Sequence, residues 1–518
     1  MALTGLLVIS SFSSACRFPV GSAERSAKPV IRMYPVVKPL LKGLDSDPAL
    51  RMDITVPADM KASGIRRFHC TLDQAGYAAV KRVDIYRTEG EAFSEKELVA
   101  SKVPGTAAFD IPAELELKPG VNRLWFSLVL NDRAGPHDRV RFSCDRLTGR
   151  NGEKLVPEQA AGISTWPVGI ALRKKWDDSV HTYRIPGIVQ TDKGTLLAVY
   201  DIRYTTSRDL PGNIDVGLSR STDGGKTWSP MRVIMDMGAP HANNGIGDPA
   251  ILFDPVTGRV WVAALWSKGN RSIAGSLPGL SPDTTGQLVL VSSEDDGITW
   301  TAPESITPQV KDPAWHIFFN GPGNGIAMSD GRIVFAAQYW DEVKMPYSTI
   351  IYSDDHGKSW KGGIRGPRSN TTESQVVEMM PGKLMLNMRD NRGGARSVAT
   401  TTDMGHSWQP HPTSFSALPD PVCMASLIKA KVRVKGVLRE VLFFSNPNTS
   451  KGRHHMTIKA SLDSGSTWLP ANSLLVDERE CYGYSSLVGI DEDHVGILYE
   501  GERELYFVIY SVNEIIRD

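Results

Sequence analysis

The chain is patterned as strands along most of its length. RVDIYRT (82–88), NRLWFSLVL (122–130) and RVRFSCDRL (139–147) alternate apolar and polar residues in part or whole, the two-residue period of a strand with one face buried. KPG and NDRAGPHD lie between such runs and supply the Gly, Pro, Asn and Asp of turns. Further along, RVWVAALW (259–266), GQLVLVSS (286–293), GRIVFAAQYW (331–340), KLMLNM (383–388) and EVLFFS (440–445) are largely apolar, as strands covered on both faces are. Helical periodicity is scarce. The pattern predicts an all-β protein.

A repeat then organises the second part of the chain. STDGGKTW (221–228), SEDDGITW (293–300), SDDHGKSW (353–360), TTDMGHSW (401–408) and SLDSGSTW (461–468) share the template Ser/Thr-x-Asp-x-Gly-x-Ser/Thr-Trp. Their spacing, roughly 50–70 residues with several short strands in each interval, predicts propeller blades rather than a solenoid. Residues from about 165 to 518 leave room for six. Within one unit the Asp accepts hydrogen bonds from turn amides, the Gly takes a positive φ, and the Trp covers the hairpin. Five equivalent aspartates cannot all converge on one substrate atom, so they are read as turn staples rather than acids or calcium ligands.

Residues 30–160 lack the repeat and are read as a small N-terminal β-sandwich, with carbohydrate binding and a purely structural part as open alternatives. TGRNGEKLVPEQAAG (148–162) would join it to a propeller spanning 161–518. Residues 1–29 form a third segment. MALTGLLVISSFSSAC has a short apolar stretch, then small residues, then Cys16, and it resembles a bacterial lipoprotein signal. Export, to the periplasm, the cell surface or the medium, is therefore expected, with Cys16 as a candidate lipid anchor.

Composition adds exclusions. Lys+Arg and Asp+Glu both number 58, a net charge of zero, without the basic excess of a nucleic-acid binder. The eleven histidines show no HExxH and the five cysteines no CxxC, so neither a catalytic metal nor another cofactor is expected. Cys70 and Cys144 could pair in an exported chain, although sequence does not set connectivity.

One stretch breaks the strand pattern. HTYRIPGIV (181–189) places Arg184 among Tyr183, Ile185, Ile188 and Val189, and arginine is rarely buried without an anion to meet it. YRIP followed by five Asp boxes resembles the bacterial exo-α-sialidases (neuraminidases) of the retaining type. The resemblance covers about 165–518. It implies a six-bladed β-propeller whose site combines three arginines, an acid/base aspartate and a tyrosine–glutamate pair. Arg184, Arg389 in LNMRDNR and Arg453 in SKGRHHMTI match the arginines. Glu373 in NTTESQVVE and Tyr484 in CYGYSSL match the base and nucleophile, and Asp209 in TTSRDLPGN the acid/base. Glu500 in GILYEGE matches the carboxylate that orients the first arginine, while Arg203 and Asp248 match further substrate contacts. Tyr482 competes with Tyr484. Arg392 and Arg396 compete with Arg389 or are simply solvated, and Asp201 and Asp215 compete with Asp209.

The residue types suit one substrate. Sialic acid carries a carboxylate on its anomeric carbon, and guanidinium groups meet carboxylates with paired planar bonds. That carboxylate would repel an anionic nucleophile, and sialidases are the known tyrosine exception among glycosidases. The implied partners are sialylated glycoproteins, gangliosides and oligosaccharides. A trans-sialidase and a non-catalytic Asp-box binding module remain alternatives.

Overall fold

The apolar runs become strands with little change of boundary: RVWVAALW is the strand Arg259–Trp266, and KLMLNM opens the strand Lys383–Asp390. The computed structural model describes residues 28–60, 63–158 and 164–517. Cys16 and the apolar leader lie outside the described residues, as does part of the 148–162 joining segment. Among the described residues the α-helices are short, Gln74–Ala79, Thr307–Val310 and Val512–Ile515. None is long and apolar enough to cross a membrane. The protein is all-β and built from several sheets.

After residue 164 the strands form successive, mainly antiparallel sheets that follow chain order, except that Gly323–Asn324 joins the preceding sheet by pairing in parallel with Ile246–Asp254. The first contains Thr182–Gln190, Leu196–Arg203, Ile214–Ser221 and Arg232–Met235. The first strands of the sheets touch in turn: Thr182–Gln190 meets Ile246–Asp254, later Thr371–Met380 meets Ser426–Val434, and Ser485–Gly489 returns to Thr182–Gln190. That approach is close. A Cβ on Gly187 would lie 2.5 Å from the Gly323 carbonyl oxygen, so only glycine fits there. Between neighbouring sheets lie separate apolar clusters, such as Val199, Val216 and Val262 in one and Phe335, Leu288 and Trp261 in another.

The last sheet is completed from far away in sequence. Ser164–Arg173 pairs antiparallel with Leu505–Ser511, so the beginning of the region closes against the end of the chain. The same strand continues at Ser164–Pro167 into the N-terminal half by pairing with Arg139–Gly149, and Leu40–Lys42 adds to it in parallel. Arg139 also binds Glu514 at 2.7 Å. The two halves share the strand Ser164–Arg173.

In the N-terminal half one sheet carries Met52, Ile54 and Phe126, and the other carries Phe68, Ile111 and Phe142; together they make a single core. Cys70 and Cys144 stand opposite each other on adjacent strands of the second sheet as buried free thiols.

The five boxes are local hairpins. In the first, the amide and hydroxyl of Thr227 donate to Asp223 at 3.0 and 2.6 Å, and the Gly225 amide donates to Ser221 Oγ at 2.9 Å. Gly225 has φ +83°. The bond from residue i+4 to the Asp recurs at Asp295, Asp355, Asp403 and Asp463. Each box follows a third strand, so these aspartates sit at the sheet edge opposite to the one described next.

Candidate active site

In an antiparallel meander the first strand starts, and the second ends, at the same edge. Arg184, Asp248 and Glu373 each stand third in Thr182–Gln190, Ile246–Asp254 and Thr371–Met380. Arg203 and Glu500 end their strands, and Arg389 is next to last in Lys383–Asp390. Asp209 and Arg453 lie in loops from second to third strands. Tyr484 directly precedes Ser485–Gly489. All nine residues are thereby delivered to one mouth.

Three of these strands are bulged at the site residue. The pairing shifts between Arg184 and Gly187, between Gly247 and Ala250, and between Thr371 and Ser374. Ile185 and Asp248 adopt positive φ of 57° and 58°. A bulge turns a side chain out of the regular alternation, and it is also where Pro186 is tolerated inside a strand.

Arg184 is 7% exposed and meets two anions. Its Nε and Nη2 donate to Glu500 at 3.0 and 3.4 Å, and its Nη1 to Asp209 at 3.2 Å. Glu500, fully buried, also accepts the backbone amides of Ile185 and Tyr484 at 2.9 Å each. One carboxylate therefore fixes the arginine and the backbone of the candidate nucleophile together. The guanidinium carbon of Arg184 lies 4.8 and 5.1 Å from the rings of Tyr482 and Tyr484.

Opposite, the Tyr484 hydroxyl donates to Glu373 and accepts from Arg389 Nη1 at 3.2 Å. Arg389 Nη1 also bonds Glu373. Burial, reinforced by the Glu373 charge, pushes the Tyr484 phenol well above its ordinary value, outweighing Arg389 and Arg184. The phenol is neutral at any physiological pH and touches its own base. Arg453 donates to the carbonyls of Tyr482 and Val422 at 2.8 and 3.1 Å, with its guanidinium carbon 5.7 Å from the Tyr484 ring.

Asp209 is mostly exposed, with 73% of its side chain accessible, and Arg203 Nη1 reaches it at 2.7 Å. The protein around it, though it leaves most of the side chain open to solvent, displaces some water and so acts to raise its carboxyl, but Arg203 and Arg184 outweigh that and hold it below the usual carboxylate value. Arg203 is itself buried, gripped by Asp201 through Nε and Nη2 at 3.0 and 2.8 Å. The Asp248 amide donates to the same Asp201 at 2.9 Å. Burial, with Asp201, Asp209 and Glu373 nearby, raises the Asp248 carboxyl well above its ordinary value.

The competitors separate clearly. Asp201 supports Arg203 and Asp248 from below. Asp215 accepts the Tyr204 hydroxyl at 2.9 Å, and burial pushes its carboxyl up to about 6. Because a raised pKa makes ionisation costly, stability should fall as pH rises through about 6. Asp215→Asn should then gain up to about 3 kcal/mol at pH 8 and little near pH 4. Thermal melts of both proteins at the two pH values measure it; an equal gain at both would discard the buried charge as the cause. Arg392 pairs with Asp390 at 3.0 Å on the exposed side. Arg396 is not solvated: it is wholly buried and donates to Asn387 Oδ1 and the Cys423 carbonyl at 2.7 Å each. The equally buried Asp420 answers its charge at 3.7 Å, a pairing that a local reading cannot see. Asn320, whose amide holds the Asp248 carbonyl at 2.7 Å, gives no local signal either.

Residues 170–497 match the BNR repeat-like domain family. The chain is 46% identical to a sialidase of Bacteroides fragilis (strain YCH46) over 415 residues, 79% of this chain and 76% of the relative. It is 34% identical to a sialidase of Micromonospora viridifaciens over 363 residues, 66% of this chain and 55% of the relative. A solved Hadza microbial sialidase superposes with a TM-score of 0.87 at 37% identity, covering 94% of this chain and 100% of the other.

Proposed function

The chain belongs to the bacterial sialidase family, and on that premise we propose that it hydrolyses terminal α-linked sialic acid from glycans with retention, through a covalent bond to Tyr484. The observation that carries this reading is the Tyr484 hydroxyl in contact with Glu373 at a mouth shared by Arg184, Arg389 and Arg453. The scaffold is a six-bladed β-propeller over 161–518 with an N-terminal β-sandwich over 30–160, a division supported by the successive sheets and the single N-terminal core. The apolar leader and Cys16 support an exported, lipid-anchored chain.

The sialic acid carboxylate binds the three arginines. On Arg184 it takes the place of Asp209, whose carboxyl is then relieved of one cation and gains affinity for a proton. On Arg389 it competes with Glu373, leaving that carboxylate to accept the phenolic proton. The Tyr484 oxygen attacks the anomeric carbon as Asp209 protonates the departing glycosidic oxygen. Asp209 then removes a proton from water, whose oxygen attacks the anomeric carbon and breaks the tyrosyl bond, and the departing phenolate takes back the proton held by Glu373. Two displacements at one carbon leave the configuration as it began.

Incubation with a sialylated oligosaccharide, with and without added lactose, tests the reading. Free sialic acid appearing first as its α-anomer is expected. A first-formed β-anomer would refute retention, sialyl transfer to lactose in place of release would make the protein a trans-sialidase, and no reaction would leave only a binding module.

A further inference from the structure

Two thiols meet in the N-terminal half, and no step above uses them. Cys70 lies on the strand Ser63–Leu72 and Cys144 on Arg139–Gly149, directly opposite each other in register. Both are 2% exposed and belong to the core of that half.

The backbone bonds around them decide what kind of pair they form. The Leu72 amide donates to the Ala107 carbonyl at 2.8 Å, away from Arg139–Gly149, and the Asp73 amide donates to the Arg141 carbonyl at 3.1 Å, towards it. Backbone groups alternate sides along a strand, and the register runs unbroken from Cys70 opposite Cys144 to Leu72 opposite Phe142. Cys70 therefore points its amide and carbonyl the way Leu72 does, and Cys70 and Cys144 are a non-hydrogen-bonded pair. Side chains in such a pair share a face, and the Cα atoms approach to about 4.5 Å. That lies inside the span of roughly 4.4–6.8 Å found in disulfides. The contact of the Cys144 thiol with the Arg146 carbonyl is long, at 3.9 Å, and holds it weakly.

The geometry points to Cys70 and Cys144 as a disulfide site, closed when the chain folds in the presence of a disulfide oxidant. The Cys70 thiolate attacks one sulfur of the oxidant and releases the other as a thiol. The Cys144 thiolate then attacks the Cys70 sulfur and releases the second thiol. Two protein thiols give up two electrons and two protons, and the oxidant's disulfide becomes two thiols. The ring so closed contains Val80–Thr88, Glu97–Lys102, Ala108–Leu117 and Gly120–Leu130. One end of it stands on the strand that pairs with the shared Ser164–Arg173. Closing so long a ring strongly restricts the unfolded chain. Burial, with the Cys144 thiol alongside, pushes the Cys70 thiol well above its ordinary value, so thiolate is scarce once the sheet has formed. Closure therefore accompanies folding, and the finished bond is shielded from exchange. The inference does not depend on the sialidase reading, and it suits the export proposed above, since oxidising compartments sustain disulfides.

Full-length protein synthesised in a cell-free mixture containing glutathione disulfide, and separately in one containing a reductant, tests the site. Free thiols are capped with iodoacetamide in denaturant, and peptides are mapped without reduction. The Cys70 and Cys144 peptides should be joined in the first sample and both capped in the second. The N-terminal half should melt roughly 10 °C higher in the oxidised protein than in the reduced one. A Cys70→Ser/Cys144→Ser variant, shown by circular dichroism to be folded, should melt alike from both mixtures. Cys70 and Cys144 capped separately after oxidising synthesis, held as glutathione adducts, or joined to Cys423 or Cys481 instead, would overturn the site. Sialic acid release enters none of these readouts, so failure of the disulfide and failure of the sialidase reading are told apart.

Discussion

Tyr484→Phe should abolish covalent turnover while leaving the fold intact. The change removes one oxygen from a side chain that is 6% exposed and packed on Ile185, Cys423 and Met424, so almost no volume is lost. It deletes the atom that both Glu373 and Arg389 hold. Activity should drop by several orders of magnitude, as expected when a nucleophile is removed and binding and protonation persist. Residual hydrolysis by direct attack of water should give an inverted first product, because only one displacement remains. On the native protein, a 3-fluorinated sialosyl fluoride should leave an adduct that peptide mapping places on Tyr484. Mapping of the label to any other residue would refute the assignment.

Arg389→Lys is expected to have the next largest effect. Arg389 Nη1 alone touches Glu373 and the Tyr484 hydroxyl, and the rest of the guanidinium plane remains for the substrate carboxylate. Lysine keeps the charge but offers one compact ammonium in place of a planar fork. Losing one charge-assisted bond corresponds to about 1.5–3 kcal/mol, so kcat/KM should fall roughly tenfold to a hundredfold or more. Loss of substrate binding should raise KM, and misplacement of Glu373 should lower kcat, so both constants should move. An unaltered kcat/KM would remove Arg389 from the site. Rescue of Arg389→Ala by added guanidinium would point the same way as the loss.

Much of this protein is legible without coordinates because the signals are short. A strand such as Arg259–Trp266 announces itself by its own eight residues, since alternation and β-branching act through neighbouring side chains. A box such as Ser221–Trp228 carries donor, acceptor and positive-φ glycine within one turn. Arg184 could be singled out as needing an anion because burial of a lone guanidinium is costly wherever it occurs.

Which anion answers it depends on residues that meet only after folding. Glu500 is 316 positions away from Arg184, and Glu373 is 111 from Tyr484. No period or motif links such pairs; the ring of sheets does, by bringing first-strand starts and second-strand ends to one edge. The same holds for Ser164–Arg173, whose pairing with Leu505–Ser511 and Arg139–Gly149 joins three distant parts of the chain. Arg396 and Asp201 show the limit most plainly. Their composition and spacing resemble those of solvated surface residues, yet both are buried to hold Cys423, Arg203 and Asp248 in place. A charged residue's burial is decided by what the rest of the chain packs over it, and that information is nowhere local. Sequence alone thus determined the strands, the turns and the residue types of the site, and resemblance paired Glu500 with Arg184, while tertiary packing decided the contacts that no local signal marks, such as Asp201 beneath Arg203 and Asp209 between Arg184 and Arg203.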